Sequence, residues 1–201
     1  MSVGPGAETK SGRGAASGPR EVSEMLSSEE YLKWCGRLRL SPEAREAIER
    51  VRSVGPTRRV GGGRENVSGR YPSRKMGVTI QFESHRVELA FIYEMEHDPD
   101  VLEYYDQAPS ILLNYESANE RRMAVMHTPD YFVIHRDSAG WQECKHEREL
   151  EKLAQKSPNR YCRNENGRWQ CPPGRRTLRR LGSIIDFDHR QRDYANLQLQ
   201  A

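Results

Sequence analysis

Apolar residues along the chain change spacing several times, and each change marks an element. Behind Ser27-Ser28-Glu29-Glu30, which reads as a helix start, Tyr31, Leu32, Trp34, Cys35 and Leu38 recur at helical intervals. Ser41-Pro42-Glu43 opens a second helix with a serine cap, a proline at the first helical position and an acid in the first turn, followed by Ala44, Ala47, Ile48 and Val51. Together they predict a helical hairpin. From Val78 the period drops to two: Val78, Ile80 and Phe82 alternate with Thr79 and Gln81, as on a half-buried strand. Ser84 then opens a helix in which Val87, Phe91 and Met95 fall on successive turns until Asp98-Pro99 stops it. Val101 to Tyr105, Ile111 to Tyr115, Met123 to Ile134 and Trp141 to Lys145 follow as strands, divided by Pro109, a polar stretch around Asn119 and the turn Asp137-Ser138-Ala139-Gly140. Glu149 to Lys156 reads as one more helix.

Around these elements the pattern lapses. Residues 1–22 are rich in Gly, Ser, Ala and Arg with no apolar period, which predicts a disordered tail ahead of a helical segment over 23–55. Gly55-Pro56 and Gly61-Gly62-Gly63 punctuate a basic connector over 56–77, and a Pro- and Arg-rich extension covers 157–201. The chain has 201 residues, enough for one domain and a small appendage. Hydrophobic residues make up 35% and charged residues 30%, which confines the core to a minority of segments. A net charge of +3 does not require a nucleic-acid partner but is compatible with one where basic residues cluster. The sequence contains no apolar run of membrane-spanning length and no apolar signal segment, so a cytoplasmic protein is expected. Cys35, Cys144, Cys162 and Cys171 are accordingly expected as reduced thiols.

The candidate chemistry lies in Pro129-Asp130 and, thirteen residues after that aspartate, Glu143-Cys144-Lys145. This is the PD-(D/E)XK pattern of metal-dependent nucleases. Side chains alternate across a strand, so Glu143 and Lys145 share a face and Cys144 points away. A turn at 137–140 folds that strand back beside Asp130. Two carboxylates suit a hard cation such as Mg²⁺, with Mn²⁺ as substitute, and the Cys144 carbonyl is a further oxygen ligand. Lys145 can orient or deprotonate an attacking water and offset charge on phosphoryl oxygens. Glu88 falls on the stripe of Ile92 and Met95, where an unpaired carboxylate is costly, so a metal or a neighbouring cation is expected beside it. Glu83 is its upstream rival, with an exposed or capping role.

Ordinary readings compete. A Pro-Asp followed by Glu-X-Lys also arises among plain surface charges. Cys144, Cys162, Cys171 and His146 could form a zinc set, but there is no Cys-x-x-Cys pair. His85, His97, His127 and His135 carry no pairing signature and are expected to be structural or exposed. Arg70, Arg74 and Lys75 are candidate phosphate contacts or a solvated basic loop, and Arg175, Arg176, Arg179 and Arg180 share that ambiguity.

Val87-Glu88-Leu89-Ala90, Asp98-Pro99-Asp100-Val101, Tyr105-Asp106-Gln107, Thr128-Pro129-Asp130-Tyr131 and Glu143-Cys144-Lys145 resemble, in order and spacing, the TnsA endonucleases. The resemblance covers about residues 30–172. It implies an α/β restriction-endonuclease-like fold, a mixed central sheet flanked by helices, with its nuclease core at 78–156. It also implies nicking at the 5′ ends of a transposon in cut-and-paste transposition, with DNA, a TnsB-like transposase and a TnsC-like ATPase as partners. By the same resemblance Glu88 is the helix-borne catalytic acid, Asp130 the metal-binding aspartate, Glu143 the second strand acid and Lys145 the catalytic lysine. Some members of that family carry Gln at the position of Glu143. Many continue into a winged-helix domain, so residues 157–201 are expected as a truncated or minimal version, or the chain as the first part of a TnsA–TnsB fusion. Two alternatives remain: a free-standing restriction or repair nuclease, and a non-catalytic DNA-end assembly module.

Overall fold

The computed structural model describes Met1 and residues 25–57, 67–179 and 185–191. The expected tail beyond Met1, the middle of the basic connector, Arg180 and the residues after Gln191 lie outside the described residues. Helices α1 (Ser28–Arg37) and α2 (Pro42–Ser53) form where their caps predict. The Ser27 hydroxyl accepts from the Glu30 amide while the Glu30 carboxylate accepts from the Ser27 amide, and Ser41 caps the second helix through the Ala44 amide. The chain continues through β1 (Gly69–Pro72), β2 (Thr79–Phe82), α3 (Glu88–His97), β3 (Val101–Asp106), β4 (Ile111–Glu116) and β5 (Arg122–His127). It ends with β6 (Tyr131–His135), β7 (Ala139–Lys145), α4 (Glu147–Lys156), β8 (Cys162–Arg163), β9 (Trp169–Gln170), α5 (Pro172–Leu178) and β10 (Ile185–Gln191).

The protein is a mixed α/β structure. Among the described residues its main sheet has six strands in the order β3-β6-β7-β10-β9-β8, of which the β7–β10 pair alone is parallel. Strands β1–β2 and β4–β5 form two separate antiparallel ribbons. Alternation along β6 sorts the core. Phe132 and Ile134, with Ala139 and Trp141 of β7, meet Trp34, Ile48, Leu113 and Leu178 on one face. Tyr131, Val133 and Cys144 meet Phe91, Ile92, Met95 and Tyr104 on the other. Helices therefore cover both faces. The indole of Trp34 donates to the carbonyls of His135 and Arg136, 2.9 Å each, fastening α1 to the β6–β7 turn.

Several boundaries differ from those expected. The run from Met123 to Ile134 is two strands, because Pro129 has no amide to extend a ladder and holds the preceding residue away from regular pairing. The chain changes sheets there: β5 pairs with β4, and β6 with β3 and β7. Helix α3 starts at Glu88 rather than Ser84, whose hydroxyl and carbonyl are taken up by the amides of Val87, Glu88 and Leu89 in a turn. The basic connector contains β1, and the extension over 157–201 contributes three strands and a helix. The main sheet thus draws on residues past the C-terminal bound of the expected 78–156 core, with β10 seated between β7 and β9. Among the described residues no helix is long and apolar enough to cross a membrane, and all four cysteines are free.

Candidate functional site

The β6–β7 hairpin positions the site. Its register pairs Ile134 with Ala139 and Tyr131 with Gln142, and the next step brings Asp130 level with Glu143. Because Pro129 keeps β6 from starting before Tyr131, the Asp130 side chain takes over the ladder position: its Oδ2 accepts from the Cys144 amide at 2.7 Å. From the other side, the Gln107 amide donates to the Asp130 carbonyl at 2.8 Å. Cys144 itself points into the cluster beneath α3, as alternation requires. Glu143 and Lys145 share the opposite face, with Nζ 2.7 Å from Oε1.

Glu143 is 3% exposed and gripped on both oxygens, since His127 Nε2 lies 2.8 Å from Oε2. Burial pushes its carboxyl up, but the His127 hydrogen bond and the Lys145 charge outweigh that and bring it down to about 2. Burial lowers the Lys145 ammonium, and the Glu143 and Asp130 charges more than reverse this, so the amine stays protonated. Burial, then the charges of Glu143 and Glu88, hold the Asp130 carboxyl well above the usual aspartate range. Glu88, at the first turn of α3, is pushed up to about 7 by burial. Its Oε2 accepts from the Glu83 amide at 2.9 Å and lies 3.4 Å from the Tyr131 hydroxyl. Three acids and one amine therefore interact at the start of β6 and the end of β7, with Glu88 approaching from the α3 face and Glu143 and Lys145 on the other.

No protein-family model and no curated protein matches the chain.

Each carboxylate is turned to a protein donor, and among the described residues no group of three or more His, Cys, Asp or Glu side chains is arranged to hold a metal ion. The donor chemistry nevertheless suits one. Asp130 is a buried carboxyl within the electrostatic reach of Glu143, Glu88 and Lys145, and hard oxygen donors of this kind match Mg²⁺ or Mn²⁺.

The tentative phosphate contacts lie around β1 and the C-terminal end of α3. Arg70 and Arg74 are exposed, on and just after β1. The Lys75 ammonium donates to the carbonyls of Met95 and Asp98, 2.6 Å each, closing the C-terminal end of α3. That end lies about 12 Å along the helix from Glu88.

Two residues not expected at the site lie against it, His127 on Glu143 and Arg160 on His127. His127 read as an isolated histidine, although its place three residues before Asp130 was the available signal. Arg160, in the turn after α4, had no signal at all, yet its Nη2 lies 3.1 Å from His127 Nδ1. Beyond them opens a groove of about 860 Å³ between the β4–β5 ribbon, that same turn and α5. Arg122, Met123, Asn159 and Arg176 line it, and Ala124 marks its near end, three residues up β5 from His127.

Proposed function

We propose that the protein is a metal-dependent DNA endonuclease with a restriction-endonuclease-like fold, a TnsA-like subunit that cuts the 5′ ends of a transposon alongside a TnsB-like transposase and a TnsC-like ATPase. The observation that carries this reading is the meeting of Asp130, Glu143 and Lys145 on adjacent antiparallel strand ends, with Glu88 charge-coupled to them from α3. The mixed sheet covered by helices on both faces supports the fold assignment. Asp130 and Glu143, with the Cys144 carbonyl, would hold Mg²⁺, and Glu88 would approach the ion directly or through water. When bound, the ion supplies Lewis acidity and lowers the pKa of a coordinated water.

The chain's own residues would then do the following. Glu143, ionised at every working pH, keeps its acceptor lone pairs without competition from protons. Lys145 acts as a fixed cation that orients the attacking water and offsets charge growing on the phosphoryl oxygens. Glu88 sits near neutrality in its proton affinity and can hold or release a proton as the local charge changes. The groove lined by Arg122 and Arg176 would offer phosphate contacts to a strand flanking the scissile phosphate.

Nicking of supercoiled plasmid, and then of labelled transposon-end duplex, with Mn²⁺ or Mg²⁺ tests the reading, the partner subunits being added in turn. Asp130→Ala and Lys145→Ala are expected to lower nicking by roughly 100-fold or more with an unchanged circular-dichroism spectrum. Near-normal cleavage by either variant would refute the site. Cleavage that needs no partner would instead favour a free-standing nuclease. A second reading, a DNA-end assembly module without catalysis, is favoured by the donors that already satisfy each carboxylate. Calorimetry separates the two, since that module takes up no Mn²⁺ with or without DNA.

A further inference from the structure

The grip on Glu143 extends two residues outward. Behind the imidazole that contacts Glu143 Oε2, the Arg160 guanidinium approaches Nδ1 at 3.1 Å. A guanidinium offers only N–H donors, so the ring nitrogen facing it is the acceptor. The ring proton then sits on Nε2, where it is donated to the carboxylate. The other tautomer turns both contacts repulsive at once: N–H against N–H at Arg160, and lone pair against carboxylate at Glu143.

We propose that Arg160 is a positioning residue, which holds His127 as its Nε2–H tautomer and thereby fixes the carboxylate plane of Glu143 toward Asp130. The proposal rests on the reading of Glu143 as a metal ligand. With one lone pair of Oε1 directed to Lys145 and one of Oε2 to His127, the carboxylate cannot swivel, and its remaining lone pairs keep one direction. Hydrogen-bonded support of a ligating carboxylate is how protein sites tune affinity without adding a ligand.

The route by which Arg160 reaches the site argues against a chance contact. The chain leaves through Lys145, passes along α4, and returns in a turn where the amides of Arg160 and Tyr161 both donate to the Ser157 carbonyl. Tyr161 is buried with Leu150 and Trp169, anchoring that turn in its own small core. The Arg160 guanidinium lies 5.1 Å from the Tyr161 ring centroid, so its planar head is held between an aromatic face and the imidazole. Asn159 ties the turn to the β4–β5 ribbon through the Glu116 carbonyl. A cation serving only as countercharge to the acids needs neither the planar fork nor the contact with a neutral ring nitrogen.

Long-range ¹H–¹⁵N correlation of histidine side chains in the metal-free full chain reads the tautomer directly, with His127→Gln identifying the signal. The wild type is expected to show Nε2–H alone, and Arg160→Leu to admit the Nδ1–H form and weaken Mn²⁺ binding by about tenfold or more. Arg160→Lys, which keeps a donor, is expected to retain the tautomer and recover part of the affinity, and it serves as the working variant should Arg160→Leu lose its fold. An Nδ1–H or imidazolium signal in the wild type overturns the proposal. A chain that nicks DNA while Arg160→Leu leaves both tautomer and Mn²⁺ affinity unchanged overturns it and leaves the nuclease reading standing. A locked tautomer in a chain that neither takes up Mn²⁺ nor cuts DNA overturns the nuclease reading, and with it the purpose given to the lock.

Discussion

Glu88 is the residue whose protonation the fold changes most usefully. Burial holds its carboxyl at about 7 against an ordinary value of 4.5. Between those two values the folded chain keeps a proton that the unfolded chain has released, so this group's stabilising contribution is present at low pH and is lost as pH rises toward 7. The metal-free protein is therefore expected to lose up to about 3 kcal/mol through this window from Glu88 alone. Glu88→Gln should flatten that part of the dependence, as read by urea denaturation from pH 5 to 8, and an unchanged slope would exclude the buried-acid account. Legibility at this scale follows locality. Asp130, Glu143 and Lys145 could be read because alternation and one short turn relate them. His127 and Arg160 could not, because each meets its partner only after the chain has changed sheets or passed through α4.

At the scale of elements, caps and punctuation carried the most information. Ser27, Ser41 and Pro42 fixed the starts of α1 and α2, since capping depends on residues within one turn. Pro129 was visible, but its effect was not, because the apolar run passes straight across it. What holds α1 and α2 to the sheet is equally invisible in the sequence. Glu103 of β3 is fully buried and takes two hydrogen bonds from Arg52, 2.9 Å each, with a third from the Leu26 amide and a fourth from the Tyr105 hydroxyl. Removing the cation strands a buried charge, so Arg52→Met is expected to destabilise the chain by about 3–5 kcal/mol. Arg52→Met combined with Glu103→Leu should recover part of this, because the pair's own desolvation cost disappears with it. Equal losses in the single and double variants, measured by denaturant titration, would show that the charge itself is not what matters.

On the scale of the molecule, the structure gathers basic residues that the sequence scatters. Arg122 of β5 and Arg176 of α5 line one groove beside the turn that carries Arg160. If DNA follows it, Arg122→Glu and Arg176→Glu each weaken binding across sequences and reduce the slope of log affinity against log salt by about 1. A slope that does not move, measured by fluorescence anisotropy in Ca²⁺, would send the path elsewhere. The architecture as mixed α/β was legible, whereas the place of residues 185–191 was not, since a weakly patterned segment gains its role only by docking between β7 and β9. That docking orders events during synthesis. Until β10 has emerged, the strand bearing Glu143 and Lys145 offers one bare row of amides and carbonyls to any passing neighbour. A nascent or shortened chain ending before Ile185 should accordingly stick to its own kind, and chaperone dependence should fall away only once β10 has closed that seam.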